Sequence, residues 1–156
     1  MNRFNLIVFI LLLGLLQQSP ALAAQSSKSS GAITSTTCSK SEINAGSTLV
    51  SNQLAALRVK KFKQAYGFAS KVFHSSKTLS EFQMIISTDY SMLIGFKNYR
   101  ILSCDRKDYL YLFILNLVGK DQKLWKINYV VSNRNGIWGV EAAAASLSSD
   151  QGRINA

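Results

Sequence analysis

Apolar residues recur at helical spacing through the first part of the chain, from about residue 48 to residue 88. One stripe at positions i, i+4 and i+7 consists of Val50, Leu54 and Leu57. This spacing predicts a first helix over residues 48–59. Ser47 or Thr48 is expected to cap it, because a side-chain oxygen there accepts a hydrogen bond from a free amide of the first turn.

Two further helices are predicted before residue 90. Residues 62–73 carry one stripe at i, i+3, i+4 and i+7 spacing, formed by Phe62, Ala65, Tyr66, Ala69 and Phe73. Gly67 lies inside this second helix, where it costs up to about 1 kcal/mol against Ala but lets another backbone approach closely. Thr78 and Glu81 match the capping box, so a third helix is expected to start there and to end before Tyr90.

From Tyr99 onward the pattern changes to runs of β-branched and aromatic residues separated by turn residues. Four strands are predicted, over residues 100–104, 109–118, 124–132 and 137–144. Asn135 and Gly136 predict a hairpin between the last two, because both tolerate positive φ. The chain is therefore predicted to be an α+β domain, with three N-terminal helices packed on a curved four-stranded antiparallel meander.

The first 23 residues have the order of parts of a secretory signal peptide. Arg3 provides a positive charge, residues 6–16 are almost entirely apolar, and residues 21–23 read Ala-Leu-Ala before the expected cut. The apolar run is shorter than the roughly 20 residues of a membrane-spanning helix. We therefore expect export to the periplasm or the medium, with an uncleaved anchor as the alternative.

The exported chain is expected to contain one folded domain. Residues 24–46 are rich in Ser and Thr and predict a disordered lead, since they offer little apolar surface to bury. The α+β domain is placed over residues 47–145, and residues 146–156 form a polar tail. Cys38 and Cys104 could form a disulfide after export, but their spacing alone does not show whether the sulfurs approach.

The chain is strongly basic, with a formal net charge of +10. Its most basic stretch contains Arg58, Lys60, Lys61, Lys63, Lys71 and Lys77. Such a stretch is either a solvated face or a surface that binds an anionic partner, such as lipid head groups or wall polymers. Export disfavours nucleic acid as that partner. Two cysteines and one histidine are too few for a typical structural zinc site, and no cofactor is expected.

Aromatic residues are the best candidates for a ligand pocket between helices and sheet. They are Tyr66, Phe73, Tyr90, Phe96, Tyr111, Phe113, Trp125, Tyr129 and Trp138. These side chains either line a space for a small apolar ligand or fill a core. Catalytic candidates are weaker, because His74 has only the adjacent Ser75 and Ser76 near it in sequence. Asp89 and Tyr90 could form an acid–base pair, or Asp89 could simply face water.

Several short segments also carry a resemblance to a known family. They are residues 53–57, 65–70, 82, 90, 125–129 and 135–140. In this order and spacing the chain resembles the bacterial family called domain of unknown function 4864, whose members have an exported or membrane-proximal N-terminus. The resemblance implies the cone-shaped fold of nuclear transport factor two and its relatives, in which helices wrap a bent sheet. It carries over no catalytic motif.

Three functional hypotheses remain open at this point. The first is a non-catalytic binding or accessory module that engages an envelope protein, a small apolar ligand or an anionic surface. The second is an enzyme that uses a cavity, with Asp89, Tyr90 or His74. The third is a homodimer whose interface is the open face of the sheet.

Overall fold

A computed structural model of the protein describes residues 35–149. Its helices are α1 (Lys40–Arg58), α2 (Phe62–Gly67), α3 (Lys71–Ser76) and α4 (Leu79–Thr88), followed by a 3-10 turn at Ser91–Leu93. Its strands are β1 (Thr36–Thr37), β2 (Asn98–Lys107), β3 (Leu110–Val118), β4 (Leu124–Arg134) and β5 (Ile137–Leu147). The predicted signal peptide, residues 24–34 of the predicted lead and residues 150–156 of the predicted tail lie outside the described residues.

The sheet has five antiparallel strands in the order β1-β2-β3-β4-β5, so the predicted α+β class and the meander are confirmed. The predicted number of four strands is corrected by β1, whose Thr36 and Thr37 pair with Arg106 and Asp105. Two exposed threonines carry no apolar alternation, so the sequence pattern could not reveal this strand. The β4–β5 hairpin turns at Asn135 and Gly136 (φ 55° and 83°), as expected.

Helix α1 begins at Lys40, earlier than the predicted start at residue 48. Ser39 and Glu42 form a capping box, in which the Ser39 amide donates to Oε2 of Glu42 at 2.8 Å. The first two turns contact the sheet through polar groups, because Glu42 accepts hydrogen bonds from Arg106 at 2.7 Å and from the Tyr111 hydroxyl at 3.1 Å. Residues 36–46 of the predicted disordered lead are therefore strand, disulfide-linked turn and helix.

A disulfide joins Cys38, just before α1, to Cys104 in β2. The two Cα atoms are 5.6 Å apart, and the Cys38 amide donates to the Cys104 carbonyl at 3.2 Å. Because the linked residues are 66 positions apart, the chain-entropy model gives a stabilisation of about 4 kcal/mol. The bridge therefore ties the start of α1 to the sheet.

The predicted second helix is two helices in the structure, so the helical layer contains four helices where three were predicted. Residues 68–70 leave the helix to pair with β5: the Ser70 amide donates to the Val140 carbonyl, and the Val140 amide donates to the Phe68 carbonyl, each at 2.9 Å. Ser70 then caps α3 by accepting a hydrogen bond from the Phe73 amide at 3.0 Å. A long-range contact thus interrupts a continuous apolar stripe.

The hydrophobic core lies between the helices and the inner face of the sheet. Alternate residues of β3 point into it and are buried, namely Tyr111, Phe113, Leu115 and Leu117. Helices α1 and α4 cover them with Leu54, Leu57 and Phe82, while Phe62, Tyr66 and Trp125 pack at the edge of the same core. None of the helices within residues 35–149 is both long enough and apolar enough to span a membrane.

Candidate functional site: a cavity between the helices and the sheet

A cavity of about 190 Å³ lies between the helical layer and strands β4 and β5. Its lining consists of Gln53, Leu57, Ala69, Phe73, Phe82, Ile85, Ile86, Tyr90, Leu93, Tyr129, Val140, Glu141, Ala142 and Ala143. Most of these side chains are apolar. The volume exceeds that of a 150 Å³ engineered cavity that binds benzene, and it is smaller than typical pockets for drug-sized ligands.

Helix α4 provides most of the apolar helical side of the cavity. Its residues Phe82, Ile85 and Ile86 are spaced i, i+3 and i+4, so they lie on one face of the helix. The capping box that starts α4 sets the position of this face, since the Thr78 amide donates to Oε2 of Glu81 at 2.8 Å. The Glu81 amide in turn donates to the Thr78 hydroxyl at 3.2 Å. The helix therefore starts at a fixed residue, which places the three apolar side chains.

Small side chains on β5 account for the space on the sheet side. Tyr129 of β4 pairs across the strands with Phe113 on one side and Ala143 on the other. A large residue at position 143 would fill this region, but Ala143 offers only a methyl group. The helices cannot collapse into the gap, because the segment between α2 and α3 is hydrogen-bonded to β5 at Ser70 and Val140.

Gly139 is required where the segment between α2 and α3 meets β5. A Cβ atom at position 139 would lie 2.6 Å from the Cα of Ser70, well inside ordinary contact distance. The close approach lets the Ser70 hydroxyl donate to Oε2 of Glu141 at 2.7 Å. Oε1 of Glu141 lies 3.7 Å from Nε of Arg134, an ion-pair distance, but it is buried and accepts no hydrogen bond from the described residues.

Three further polar side chains reach the cavity. The Tyr90 hydroxyl donates to the Ala143 carbonyl at 2.6 Å, and Nε2 of Gln53 donates to the Ala65 carbonyl at 3.1 Å. Tyr129 is 1 % exposed, and burial together with the nearby Tyr90 and Tyr99 raises the pKa of its hydroxyl. The site is therefore an apolar space with a neutral phenol on its sheet side.

The residues that surround this cavity fall within a segment that matches a known family. A family model described as a domain of unknown function, DUF4864, matches residues 39–151. The chain belongs to the DUF4864 family. No curated protein and no solved structure matches it. The match starts at Ser39, the N-cap of α1, so strand β1 and Cys38 lie just before the matched segment.

Of the aromatic residues proposed for a pocket in this DUF4864 chain, three line the cavity: Phe73, Tyr90 and Tyr129. Phe113 is fully buried in the core, and Trp125 packs at the core edge. Phe96 is buried under the Arg58 guanidinium, whose Cζ lies 5.2 Å from the ring centroid. These three lie outside the cavity lining.

The remaining aromatic candidates are held by hydrogen bonds and ring contacts elsewhere. The Tyr66 hydroxyl donates to the Lys77 carbonyl at 2.6 Å. Tyr111 donates to Glu42, and its ring centroid is 4.7 Å from that of Trp138. Burial, followed by the hydrogen bond to Glu42, raises the pKa of Tyr111. Tyr66 packs behind the lining residues Phe73 and Phe82, with ring centroids 6.3 and 5.6 Å apart, while Tyr111 and Trp138 pack together outside the lining.

The structure does not bring the catalytic candidates together. His74 is exposed, and its Nε2 lies 2.8 Å from the Tyr66 carbonyl oxygen. Asp89 is exposed at the end of α4, and neither residue belongs to the cavity lining. Across residues 35–149, no group of three or more His, Cys, Asp or Glu side chains is placed to hold a metal ion.

Three of the predicted basic residues line one surface groove. Lys60, Lys61 and Lys63 surround it together with Phe62 and Leu79. The other three basic residues have different surroundings. Lys77 lies 4.0 Å from Glu81, Arg58 covers Phe96, and Lys71 is exposed at the start of α3.

Sequence reasoning missed most of the aliphatic lining. Phe82, Ile85 and Ile86 have the spacing of a buried helix face, and nothing in that spacing distinguishes a face that meets a core from one that meets a cavity. The run of four alanines after Glu141 was the available signal, because small side chains on a strand that pairs with Tyr129 leave volume unfilled. Gln53 was a second signal, as a polar residue on the apolar stripe of α1.

Proposed function

We propose that this DUF4864 chain is a non-catalytic binding module of the cell envelope whose cavity holds a small apolar ligand. The observation that carries the proposal is the 190 Å³ space itself. Small-molecule sites are concave and mostly apolar, with a few polar groups that orient the ligand. This space is partly open to the surface and is bordered by Phe73, Phe82 and Ile86, which supports a small apolar occupant.

The first test is a thermal unfolding experiment with ethylbenzene, which is apolar and contains one ring. At a ligand concentration tenfold above Kd, binding stabilises the folded state by about 1.4 kcal/mol, which raises Tm by roughly 5 °C in a domain of this size. The control is Ala143→Leu, which adds side-chain volume to the cavity lining. We expect the shift in the native chain and a much smaller one in the variant.

Two results would contradict the proposal. One is an unchanged Tm for a panel of monocyclic aromatic compounds and short alkanes. The other is an equal shift in the native protein and in the Ala143→Leu variant, because that result would locate binding elsewhere. Circular dichroism of the variant establishes that it has folded before the comparison is made.

Export is part of the proposal. The signal-peptide pattern over residues 1–23 supports it, and the Cys38–Cys104 disulfide agrees with it, because disulfides persist in oxidising compartments outside the cytosol. The cone-like curvature implied by the family resemblance is also proposed. The register shifts at Ile101/Ser103 and Val130/Val131 support it, since bulges bend strands.

A second candidate function, binding to an anionic surface, is favoured by the groove around Lys60, Lys61 and Lys63. Its apolar residues Phe62 and Leu79 would contact the acyl region beneath lipid head groups. The cavity-based enzyme and the homodimer remain alternatives with less support. For the homodimer, the outer sheet face contributes the half-buried Leu112, Ile114 and Val130, and the strands also carry the exposed Leu102 and Ile137.

A further inference from the structure

Tyr129 combines a hydroxyl that makes no hydrogen bond with a place in the cavity lining; within residues 35–149 the half-buried Tyr99 also forms no side-chain hydrogen bond, but it does not border the cavity. Tyr66, Tyr90 and Tyr111 each donate their hydroxyl hydrogen to an acceptor, at 2.6, 2.6 and 3.1 Å. Among the hydrogen bonds within residues 35–149, none uses the Tyr129 hydroxyl, although Tyr129 is 1 % exposed and borders the cavity. Because Tyr129 borders the cavity and its hydroxyl has no acceptor among the described residues, that hydroxyl is free to donate to a molecule bound in the cavity.

The donors near Tyr129 in the cavity already have acceptors, whereas Oε1 of Glu141 is buried and accepts no hydrogen bond within residues 35–149. The Tyr90 hydroxyl donates to the Ala143 carbonyl, and Glu141 accepts from Ser70 and lies beside Arg134. The Tyr129 hydroxyl therefore remains as the donor without an acceptor on the sheet side. Because its burial raises its pKa, it keeps its proton and acts as a donor at every physiological pH.

Charge and size narrow the class of ligand further. Glu141 borders the same cavity, so a second negative charge there would be repelled as well as desolvated. The volume of about 190 Å³ is sufficient for one ring with a short substituent. Repulsion by Glu141 and the cost of desolvation both favour a neutral molecule over a carboxylate or a phosphate.

We propose that the cavity binds a neutral monocyclic ligand whose carbonyl or ether oxygen accepts a hydrogen bond from the Tyr129 hydroxyl. This inference rests on the proposed function, because it assigns the ligand class of the same cavity. The ring packs against Phe73, Phe82 and Ile86, and the oxygen points toward β4. Apolar contacts provide most of the affinity, while the single hydrogen bond provides selectivity for oxygenated rings.

The test compares acetophenone with ethylbenzene, which has nearly the same shape but no carbonyl, and with benzoate, which is anionic. Each Kd is measured by isothermal titration calorimetry for the native protein and for Tyr129→Phe, which removes only the hydroxyl. We expect Tyr129→Phe to weaken acetophenone binding on the order of three- to tenfold and to leave ethylbenzene binding unchanged. Benzoate is expected to bind more weakly than acetophenone to the native protein.

Tyr66→Phe is the matched control, because it removes a tyrosine hydroxyl that lies outside the cavity lining. Tyr66→Phe should leave the Kd of acetophenone and the Kd of ethylbenzene unchanged. If ethylbenzene and acetophenone bind equally well to the native protein and to Tyr129→Phe, the hydrogen bond is refuted while the apolar cavity stands. If benzoate binds more tightly than acetophenone, the neutral class is wrong. If none of the three compounds binds, the proposed function fails together with this inference.

Discussion

Gly139 and Gly67 show how differently two glycines can act in one fold. Gly139 lies in β5, where the backbone of Ser70 passes so close that a Cβ atom would be 2.6 Å from its Cα. Gly67 ends α2, and a Cβ atom there would meet no heavy atom within 4 Å. The close backbone approach that the sequence suggested at Gly67 therefore occurs at Gly139, because β5 and not the helix meets a neighbouring segment.

We predict opposite effects of alanine at these two positions. Gly139→Ala should destabilise the protein by about 1–3 kcal/mol, because the added methyl group separates β5 from Ser70. Gly67→Ala should stabilise it by up to about 1 kcal/mol, because alanine is the better helix former and finds open space. Urea unfolding of both variants measures the difference. A Gly139→Ala variant as stable as the native chain would show that β5 does not depend on this contact.

At the scale of elements, the sequence predicts a boundary where a local apolar or capping pattern marks it. It does not predict a boundary that is set by a contact with a residue distant in sequence. Helix α4 and strand β3 start and end within about two residues of their predicted limits, because capping and alternation mark them. The first turns of α1 escaped prediction because they reach the sheet through the polar Glu42. The break between α2 and α3 escaped it because its cause, Val140, lies 70 residues from Ser70.

The cavity likewise combines residues that the sequence can suggest with a volume that depends on long-range contacts. Phe73, Tyr90 and Tyr129 could be proposed from their residue type alone, since aromatic side chains commonly line ligand sites. On the sheet side the volume comes from the small side chain of Ala143, opposite Tyr129 on the neighbouring strand. Only the strand register shows that these residues are neighbours, and the sequence does not contain that register explicitly.

The junction of α1 with the sheet should depend on pH. The Ser39 amide and hydroxyl, then the Tyr111 hydroxyl and Arg106, lower the pKa of Glu42 to about 2 from an ordinary 4.5. Because the folded state prefers the carboxylate, this stabilisation is complete above about pH 5 and is lost as pH falls towards 2. We predict that Glu42→Gln lowers the urea midpoint at pH 7 and that the difference from the native chain shrinks below pH 4.

Asp89→Asn is the matched control for that experiment. It removes one carboxylate of the same charge at an exposed helix end, where no side-chain hydrogen bond or ion pair is found among the described residues. Its urea midpoint should follow that of the native chain at both pH values. If Glu42→Gln and Asp89→Asn behave alike, the effect reflects overall charge, and the capping box with Arg106 contributes nothing specific.

At the scale of the whole molecule, the basic residues behind the net charge of +10 are distributed unevenly over the surface. Lys60, Lys61 and Lys63 share one groove with two apolar side chains, and Lys60 also borders a neighbouring groove with Lys120. Some basic residues elsewhere are paired or cover aromatic rings, as Arg134 does over Tyr109 with 3.9 Å between its Cζ and the ring centroid, and others are dispersed on the surface. If the protein binds an anionic surface through this groove, its affinity should depend on which lysines are present and not only on the total charge.

We predict that the protein binds vesicles of phosphatidylglycerol at low salt and loses this binding at about 0.5 M salt, because salt screens exposed charges. Each lysine near an anionic surface contributes about 1 kcal/mol, so K60Q/K61Q/K63Q should weaken binding on the order of a hundredfold. The control K40Q/K107Q/K126Q removes the same charge from exposed lysines outside the groove and should have a much smaller effect. Equal losses in a vesicle co-sedimentation assay would show that only net charge matters, and binding to uncharged phosphatidylcholine would refute an electrostatic origin.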